Sequence, residues 1–177
     1  MARVAYGDEN SSPAVRALAD QIRKERDGRM LNLYSMLLNA PPVAEGWLAL
    51  FTAIRQQCTL RGDYRELVIL RVALLNGASY EYQVHVPFAL REGVTQAQLD
   101  TLDRWQDSAV LTPAQRAVLA YTDSMTRDIH VPDAVFEGLR GHFNQREIVE
   151  LTATIGGYNL VSRFLEALAV DPESALA

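Results

Sequence analysis

Cysteine is almost absent from this 177-residue sequence, which contains only Cys58. One cysteine cannot form an intrachain disulfide, a dithiol redox pair or a cysteine-rich zinc site. Long apolar runs are absent too, since none approaches the roughly 20 residues that cross a bilayer. The start, MARVAYGDENSS, has no hydrophobic signal core. We therefore expect a cytoplasmic protein that does not span a membrane.

Blocks of positive charge are also lacking. The formal net charge is -5, and Lys and Arg do not cluster anywhere along the chain. Proteins that bind nucleic acids or acidic lipids usually carry a basic patch. We therefore expect neither nucleic acid nor membrane as a partner, but a small molecule and further copies of the same chain.

Helical periodicity is present from end to end. Apolar residues recur at spacings of three and four, whereas period-two alternation at useful length is missing. This pattern predicts an all-α fold. A chain of this length fits one domain, so residues 1–177 are predicted to form a single domain in which residues 1–27 are an N-terminal helical extension.

Several helix starts carry recognisable signals. Ser12 followed by Pro13 is typical of an N-cap and a first helical residue. Thr95, Thr112 and Asn144 are each followed three residues later by Gln or Glu, which is the capping-box pattern.

A weak internal repeat relates the two halves of the chain. Residues 65–68 (RELV) are echoed by residues 146–149 (REIV), and Gly77 is echoed by Gly156-Gly157 at nearly the same offset. We expect two helix-Gly-helix units that pack against each other as a helical bundle. Only the first unit carries a polar site.

The segment from residue 64 to residue 92 is predicted to be the core motif. It indicates a helix over Tyr64–Asn76, a break at Gly77 and a second helix over Ser79–Arg91.

A polar stripe follows the second of these helices. Ala78, Glu81 and His85 are spaced three and four apart, so they share one face and Glu81 neighbours His85 directly. A carboxylate one turn from an imidazole can transfer a proton, and each group tunes the pKa of the other. The pattern indicates an acid-and-histidine site without thiols.

At these residues the sequence resembles the carboxymuconolactone decarboxylase and alkylhydroperoxidase (AhpD)-like superfamily. The redox members of that superfamily show a Glu, eleven residues, and then Cys-x-x-Cys-x-x-x-His. Glu66 matches the leading acid, Ala78 the first cysteine, Glu81 the second cysteine and His85 the histidine, with no insertion. The resemblance extends over roughly residues 28–171 and identifies a member without the motif cysteines.

The resemblance implies a function. The redox members reduce hydroperoxides through the two thiols that are replaced here, so a thiol peroxidase is not expected. The decarboxylases place an acid four residues before the histidine, as with Glu81 and His85, which implies a lyase acting on a small carboxylated or lactone-like molecule. In that function His85 would be the general acid or base, Glu81 would orient or charge it, and Glu66 would relay protons or hold the helix start. No metal or organic cofactor would be required. The superfamily also implies a homo-oligomer, commonly a trimer or hexamer.

Each of these residues has a plainer interpretation. Glu66 follows Asp63 by three residues and could close a capping box. Glu81 and His85 could form a surface ion pair worth only a fraction of a kcal/mol. Tyr80 and Tyr82 are predicted, with Ala78, to line a substrate pocket, although tyrosines on an apolar helix are commonly core residues.

Other functions stay open at the sequence level. A proton-shuttling pair also suits lactone hydrolysis or isomerisation, and a non-catalytic helical oligomer could keep the acid and histidine as structural contacts. Cys58 is expected to be a small packed side chain. Asn159 and Arg163 could reach a pocket or an interface, or form an exposed polar pair.

Overall fold

The structure, a computed structural model that describes residues 1–173, consists of helices joined by short turns. The α-helices are α1 (Pro13–Glu25), α2 (Asn32–Leu37), α3 (Pro41–Thr52), α4 (Gly62–Asn76), α5 (Ser79–Arg91), α6 (Gln96–Leu99), α7 (Pro113–Arg127), α8 (Asp133–Arg140) and α9 (Gln145–Leu168). A π-helical turn at Ala53–Gln57 follows α3, and a 3₁₀ turn at Leu102–Asp107 follows α6. No strand occurs within residues 1–173, so the predicted all-α class is confirmed. Within the same range no helix combines the length and apolar character that crossing a bilayer requires.

The chain divides into two compact units. Among the described residues, the first contains Met1–Cys58 and residues 164–173, and the second contains Thr59–Arg163. In the first unit α1 and α2 pack against α3. The ring of Trp47 on α3 contacts the ring of Phe164, near the end of α9, with centroids 5.2 Å apart and a tilt of 56°.

The predicted helix starts are found in the structure. The Ser12 side chain accepts a hydrogen bond from the Val15 amide, with Pro13 as the first residue of α1. Thr95 and Thr112 each form a complete capping box with the glutamine three residues later. These caps depend on neighbouring residues only, and therefore the sequence shows them directly.

Helix α4 is the central helix of the second unit. It packs against α5 and α7, and all residues from Leu67 to Ala73 are buried. This buried run includes Arg71, whose guanidinium donates to both carboxylate oxygens of Asp123 on α7 at 2.6 and 2.7 Å. The Trp105 indole also donates to Asp123, at 3.2 Å. The pairing connects α4, α7 and the 3₁₀ turn without leaving a bare charge in the core.

The break between α4 and α5 lies at Gly77, as predicted. Gly77 has a φ of 67° in the left-handed region, and the next amide, that of Ala78, bonds back to the carbonyl of Ala73 at 2.9 Å. This arrangement is a glycine C-cap, which satisfies carbonyls that the helix end would leave unpaired. Helix α5 then has the predicted bounds, whereas α4 begins at Gly62, two residues before the predicted start.

The second half of the predicted repeat is wrong in one respect. Gly156-Gly157 does not break a helix, because α9 is continuous from Gln145 to Leu168. Two glycines cost a helix about 2 kcal/mol in propensity, but α9 buries Leu151, Ile155 and other apolar side chains along its length. Packing therefore overrides the local signal.

We expect Gly77→Ala to lower the free energy of unfolding by about 1 kcal/mol, because a Cβ is strained at positive φ. A Cβ at this position meets no atom within 4 Å, so the loss would be purely conformational. Gly77→Asn should lose less, since asparagine tolerates the left-handed region. Urea unfolding measures both variants.

The matched control for this prediction is Gly138→Ala on α8. Gly138 is exposed and its added Cβ also meets no atom within 4 Å, but its φ is not positive. This variant should keep or slightly increase stability. Equal losses in the Gly77 and Gly138 variants would contradict the conformational explanation.

Candidate active site

Two facing helices bring together the three predicted catalytic residues. Glu66 lies on the second turn of α4, and Glu81 and His85 lie one turn apart on α5. The Oε2 atom of Glu66 is 2.7 Å from Nδ1 of His85, and Oε1 of Glu81 is 3.1 Å from Nε2. The imidazole ring therefore has a carboxylate oxygen against each nitrogen. We call these three residues the trio.

The trio is buried. The exposed fractions are 1% for Glu66, 4% for Glu81 and 3% for His85. The interpretation of Glu81 and His85 as a surface ion pair is therefore wrong. A buried ionic group costs far more free energy to leave unpaired than an exposed one, so the contacts within the trio affect the stability of the fold.

Glu66 is not a capping acid. Helix α4 begins at Gly62 after the N-cap Arg61, which makes no side-chain cap, so Asp63 already lies inside the helix and pairs with Arg61 at 2.9 Å. The corresponding box in the other half does form, because the backbone amide of Asn144 donates to Glu147 and that of Glu147 donates to the Asn144 side chain. The two motifs look alike in sequence, but only Glu66 points to a buried histidine.

The geometry sets the charge of His85. A neutral imidazole has one N–H donor, whereas two carboxylate oxygens each require a donor. Burial by itself would lower the pKa of His85, but the charges and hydrogen bonds of Glu66 and Glu81 outweigh it and raise the pKa from 6.5 to about 9. His85 is therefore an imidazolium at neutral pH.

Two aromatic rings lie against the imidazole, and sequence analysis assigned a role to neither. Tyr158 of α9 meets it edge-on with centroids 5.3 Å apart, and Phe88 lies 5.6 Å away at a tilt of 40°. Phe88 was detectable, because it follows His85 by three residues on one helix. Tyr158 had no local signal, since it is 73 residues away along the chain.

Arg65 is a further neighbour that the sequence analysis missed. Its Nε donates to Oε1 of Glu66 at 3.2 Å, and its Nη2 donates to Oε1 of Glu92 at 3.2 Å. Each oxygen of Glu66 therefore has a cationic partner, Arg65 on one and His85 on the other.

The predicted pocket residues have different environments. Ala78 is the buried N-cap residue of α5, and Tyr80, two residues further on, is also buried. Tyr82 is half-buried against an apolar cluster that includes Leu67 and Leu70, and burial raises the pKa of its phenol. A substrate-lining role for these three residues stays a prediction.

The remaining polar candidates have structural contacts. Asn159 donates to Thr126 at 3.0 Å and accepts from Asn76 at 3.1 Å, and Arg163 donates to its side-chain oxygen at 2.6 Å. This set ties α9 to α4 and α7. Cys58 is half-buried directly after the π-helical turn. Among residues 1–173 there is no group of three or more His, Cys, Asp or Glu side chains that could hold a metal ion.

Comparison with known proteins finds a similar family and similar solved structures. Residues 41–124 match the model of the carboxymuconolactone decarboxylase family. A solved protein of unknown function from Agrobacterium tumefaciens, ATU0492, is 26% identical, with a TM-score of 0.74 over 78% of this chain and 96% of that one.

Two more distant structures share the fold. The AhpD-core, peroxidase-related protein of Ralstonia eutropha JMP134 has a TM-score of 0.84 at 20% identity, over 98% of this chain and 93% of that one. The debrominase Bmp8, solved as a variant in complex with 2,3,4-tribromopyrrole, has a TM-score of 0.80 at 18% identity, over 97% of this chain and 91% of that one.

The chain is thus similar to the carboxymuconolactone decarboxylase family over residues 41–124, and its fold is that of AhpD-like helical proteins. The predicted AhpD-like bundle is thereby confirmed. The helix pair of this chain has no cysteine at the motif positions, because Ala78 and Glu81 follow Glu66 at the motif spacing and Cys58 lies outside it. A dithiol cannot form at this site.

The raised pKa of His85 predicts how stability depends on pH. A group whose pKa is higher in the folded state contributes fully below its unfolded value and loses that contribution as pH rises through the folded value. Between pH 6.5 and 9.5 the wild type should lose about 3 kcal/mol of unfolding free energy relative to His85→Gln. Urea unfolding across this range measures the difference.

The exposed His142 provides the control for this measurement. His142→Gln should follow the wild-type pH dependence throughout. Parallel curves for the wild type and His85→Gln would contradict a buried imidazolium in the folded protein.

Proposed function

We propose that this protein is a cofactor-independent enzyme of the carboxymuconolactone decarboxylase type, a carboxy-lyase acting on a small carboxylated or lactone-like molecule. The observation that carries the proposal is the buried chain Glu66–His85–Glu81, in which both ring nitrogens contact carboxylates. The match of residues 41–124 to the carboxymuconolactone decarboxylase family supports it.

The state of His85 favours proton donation as its role. With a pKa of about 9, the ring carries its proton at neutral pH and is poorly suited to begin a reaction as a base. Decarboxylation needs a donor of this kind. The bond from carbon to carboxylate breaks, carbon dioxide leaves, and the electron pair moves onto an adjacent carbonyl as an enolate. A proton then returns to carbon.

The two carboxylates have different positions in this scheme. Glu66 makes the shorter contact, is the more buried and has Arg65 on its other oxygen, so it anchors Nδ1. Glu81 makes the longer contact and shares the Nε2 proton. We assign the transferred proton to this Nε2–Glu81 side. The imidazolium also stabilises the enolate charge before the proton moves, and solvent restores the proton after product leaves.

The burial of the ring supports the same chemistry. Tyr158 and Phe88 flank the imidazole, and a dry site strengthens the interaction between an imidazolium and a developing oxyanion. The complex of Bmp8 with 2,3,4-tribromopyrrole supports a small ring compound as the class of ligand that this fold accepts.

A second candidate function has an observation in its favour. The trio is almost fully buried, which suits a purely structural role in which it holds α4 against α5. In this alternative the protein is a non-catalytic oligomer that binds a small ligand or a partner. Hydrolase or isomerase chemistry at the same residues is a third outcome. Assembly into a trimer or hexamer is part of either proposal and is measurable by light scattering.

The first test is turnover of γ-carboxymuconolactone, followed by release of carbon dioxide. We expect His85→Gln and Glu81→Gln each to lower kcat/KM by roughly 100-fold or more, the usual contribution of a positioned acid. His142→Gln is the matched control and should keep full activity. Unchanged turnover in His85→Gln would eliminate the assigned site.

A second variant tests the exclusion of thiol chemistry. Cys58→Ala should leave turnover of the lactone acid unchanged, because Cys58 lies outside the motif helices. Neither the wild type nor this variant should reduce alkyl hydroperoxides with a dithiol as reductant. Peroxide reduction that depends on Cys58 would overturn the assignment as a lyase.

A further inference from the structure

Arg65 stands at the edge of the trio, between buried and exposed carboxylates. The exposed fraction of the side chain is 11% for Arg65, 1% for Glu66 and 44% for Glu92. The guanidinium uses Nε for Glu66 and Nη2 for Glu92, at 3.2 Å in both cases. A planar guanidinium that donates in two directions has little freedom to rotate.

Space for Glu92 comes from the start of α4. A Cβ built on Gly62 would overlap the carboxylate of Glu92. Gly62 is the first residue of α4, and Glu92 is the C-cap residue of α5, so the two helices approach closely here. Any side chain at residue 62 would move Glu92 away from this position.

The charges of the buried groups balance only when Arg65 is included. Glu66 and Glu81 carry two negative charges against one positive charge on His85, and Arg65 supplies the second. Burying an unbalanced charge is expensive, so the guanidinium compensates the second carboxylate of the site.

We propose that Arg65 is a positioning residue, whose guanidinium holds one oxygen of Glu66 and thereby weakens the hold of this carboxylate on the imidazolium of His85. Glu92 in turn holds Arg65, in the space that Gly62 leaves. The catalytic consequence rests on the proposed function, but the geometry is testable without a substrate.

Electrostatics defines the direction in which Arg65 changes the pKa of His85. The groups that contact Glu66 or His85 include Arg65 on α4, Glu81 on α5 and the ring of Tyr158 on α9, and Glu92 on α5 contacts Arg65. Arg65 repels the imidazolium and shares the charge of Glu66. Its removal should therefore stabilise the protonated ring further.

The experiment is a titration of the histidine ring signals by NMR. In Arg65→Met we expect the pKa of His85 to rise by roughly one unit, and in Arg65→Lys by less, because lysine keeps the charge and loses the two-way contact. Exposed His130 and His142 are internal references in each spectrum. Arg61→Met is the matched control, since Arg61 is exposed at the same helix end and pairs with Asp63. It should leave His85 unchanged.

Two further variants distinguish the effect of Glu92 through its contact with Arg65 from the direct effect of its own charge on His85. Glu92→Gln removes a negative charge, which alone would lower the pKa of His85. If Glu92 acts by holding Arg65, this variant instead raises the pKa, in the same direction as Arg65→Met. Gly62→Ala keeps the charge but displaces it, and should also raise the pKa, while Gly138→Ala should not.

The outcomes distinguish this inference from the proposed function. Loss of stability in Arg65→Met with an unmoved His85 titration would reduce Arg65 to a packing residue and overturn the inference. A fall in the pKa in Glu92→Gln would overturn the holding role of Glu92. If the titrations shift as expected but no lactone acid is turned over, the positioning role stands and the lyase assignment fails.

Discussion

A protonated imidazole between two carboxylates, shielded from water, is the interaction on which the rest of this site depends. Each of the three groups alone would be costly to bury, and any one of them missing would leave an unpaired charge or an unmatched hydrogen bond. The contacts at 2.7 and 3.1 Å therefore set requirements for the backbone. Helices α4 and α5 must approach side by side, Arg65 must balance the second carboxylate, and the rings of Phe88 and Tyr158 must close the surroundings.

Local features of this arrangement could be predicted from the sequence. The end of α4 at Gly77 and the bounds of α5 depend on glycine conformation and on spacing, and both are confirmed. Glu81 and His85 could be paired because residues four apart share a helix face. Caps such as that of Thr112 are equally local.

Features that depend on packing could not be predicted in this way. Glu66 and Glu147 sit in matching motifs, yet one reaches a buried histidine and the other caps α9. The difference arises because α4 is enclosed by α5 and α7, which no local pattern records. The predicted break at Gly156-Gly157 is wrong for the same reason, since burial of one face of α9 outweighs the poor helix propensity of glycine.

The short turn at Gly77 also makes the site sensitive to length. Only Gly77 and Ala78 separate α4 from α5. The distance between Glu66 and His85, which are 19 residues apart in sequence, is therefore fixed by two helices and a two-residue turn. One residue inserted inside either helix would rotate the residues beyond it by about 100° around the helix axis. Insertions are usually tolerated in the loops between helices, but a turn of two residues is too short to absorb an insertion without moving one helix relative to the other. The spacing is thus as much a part of the site as the side chains.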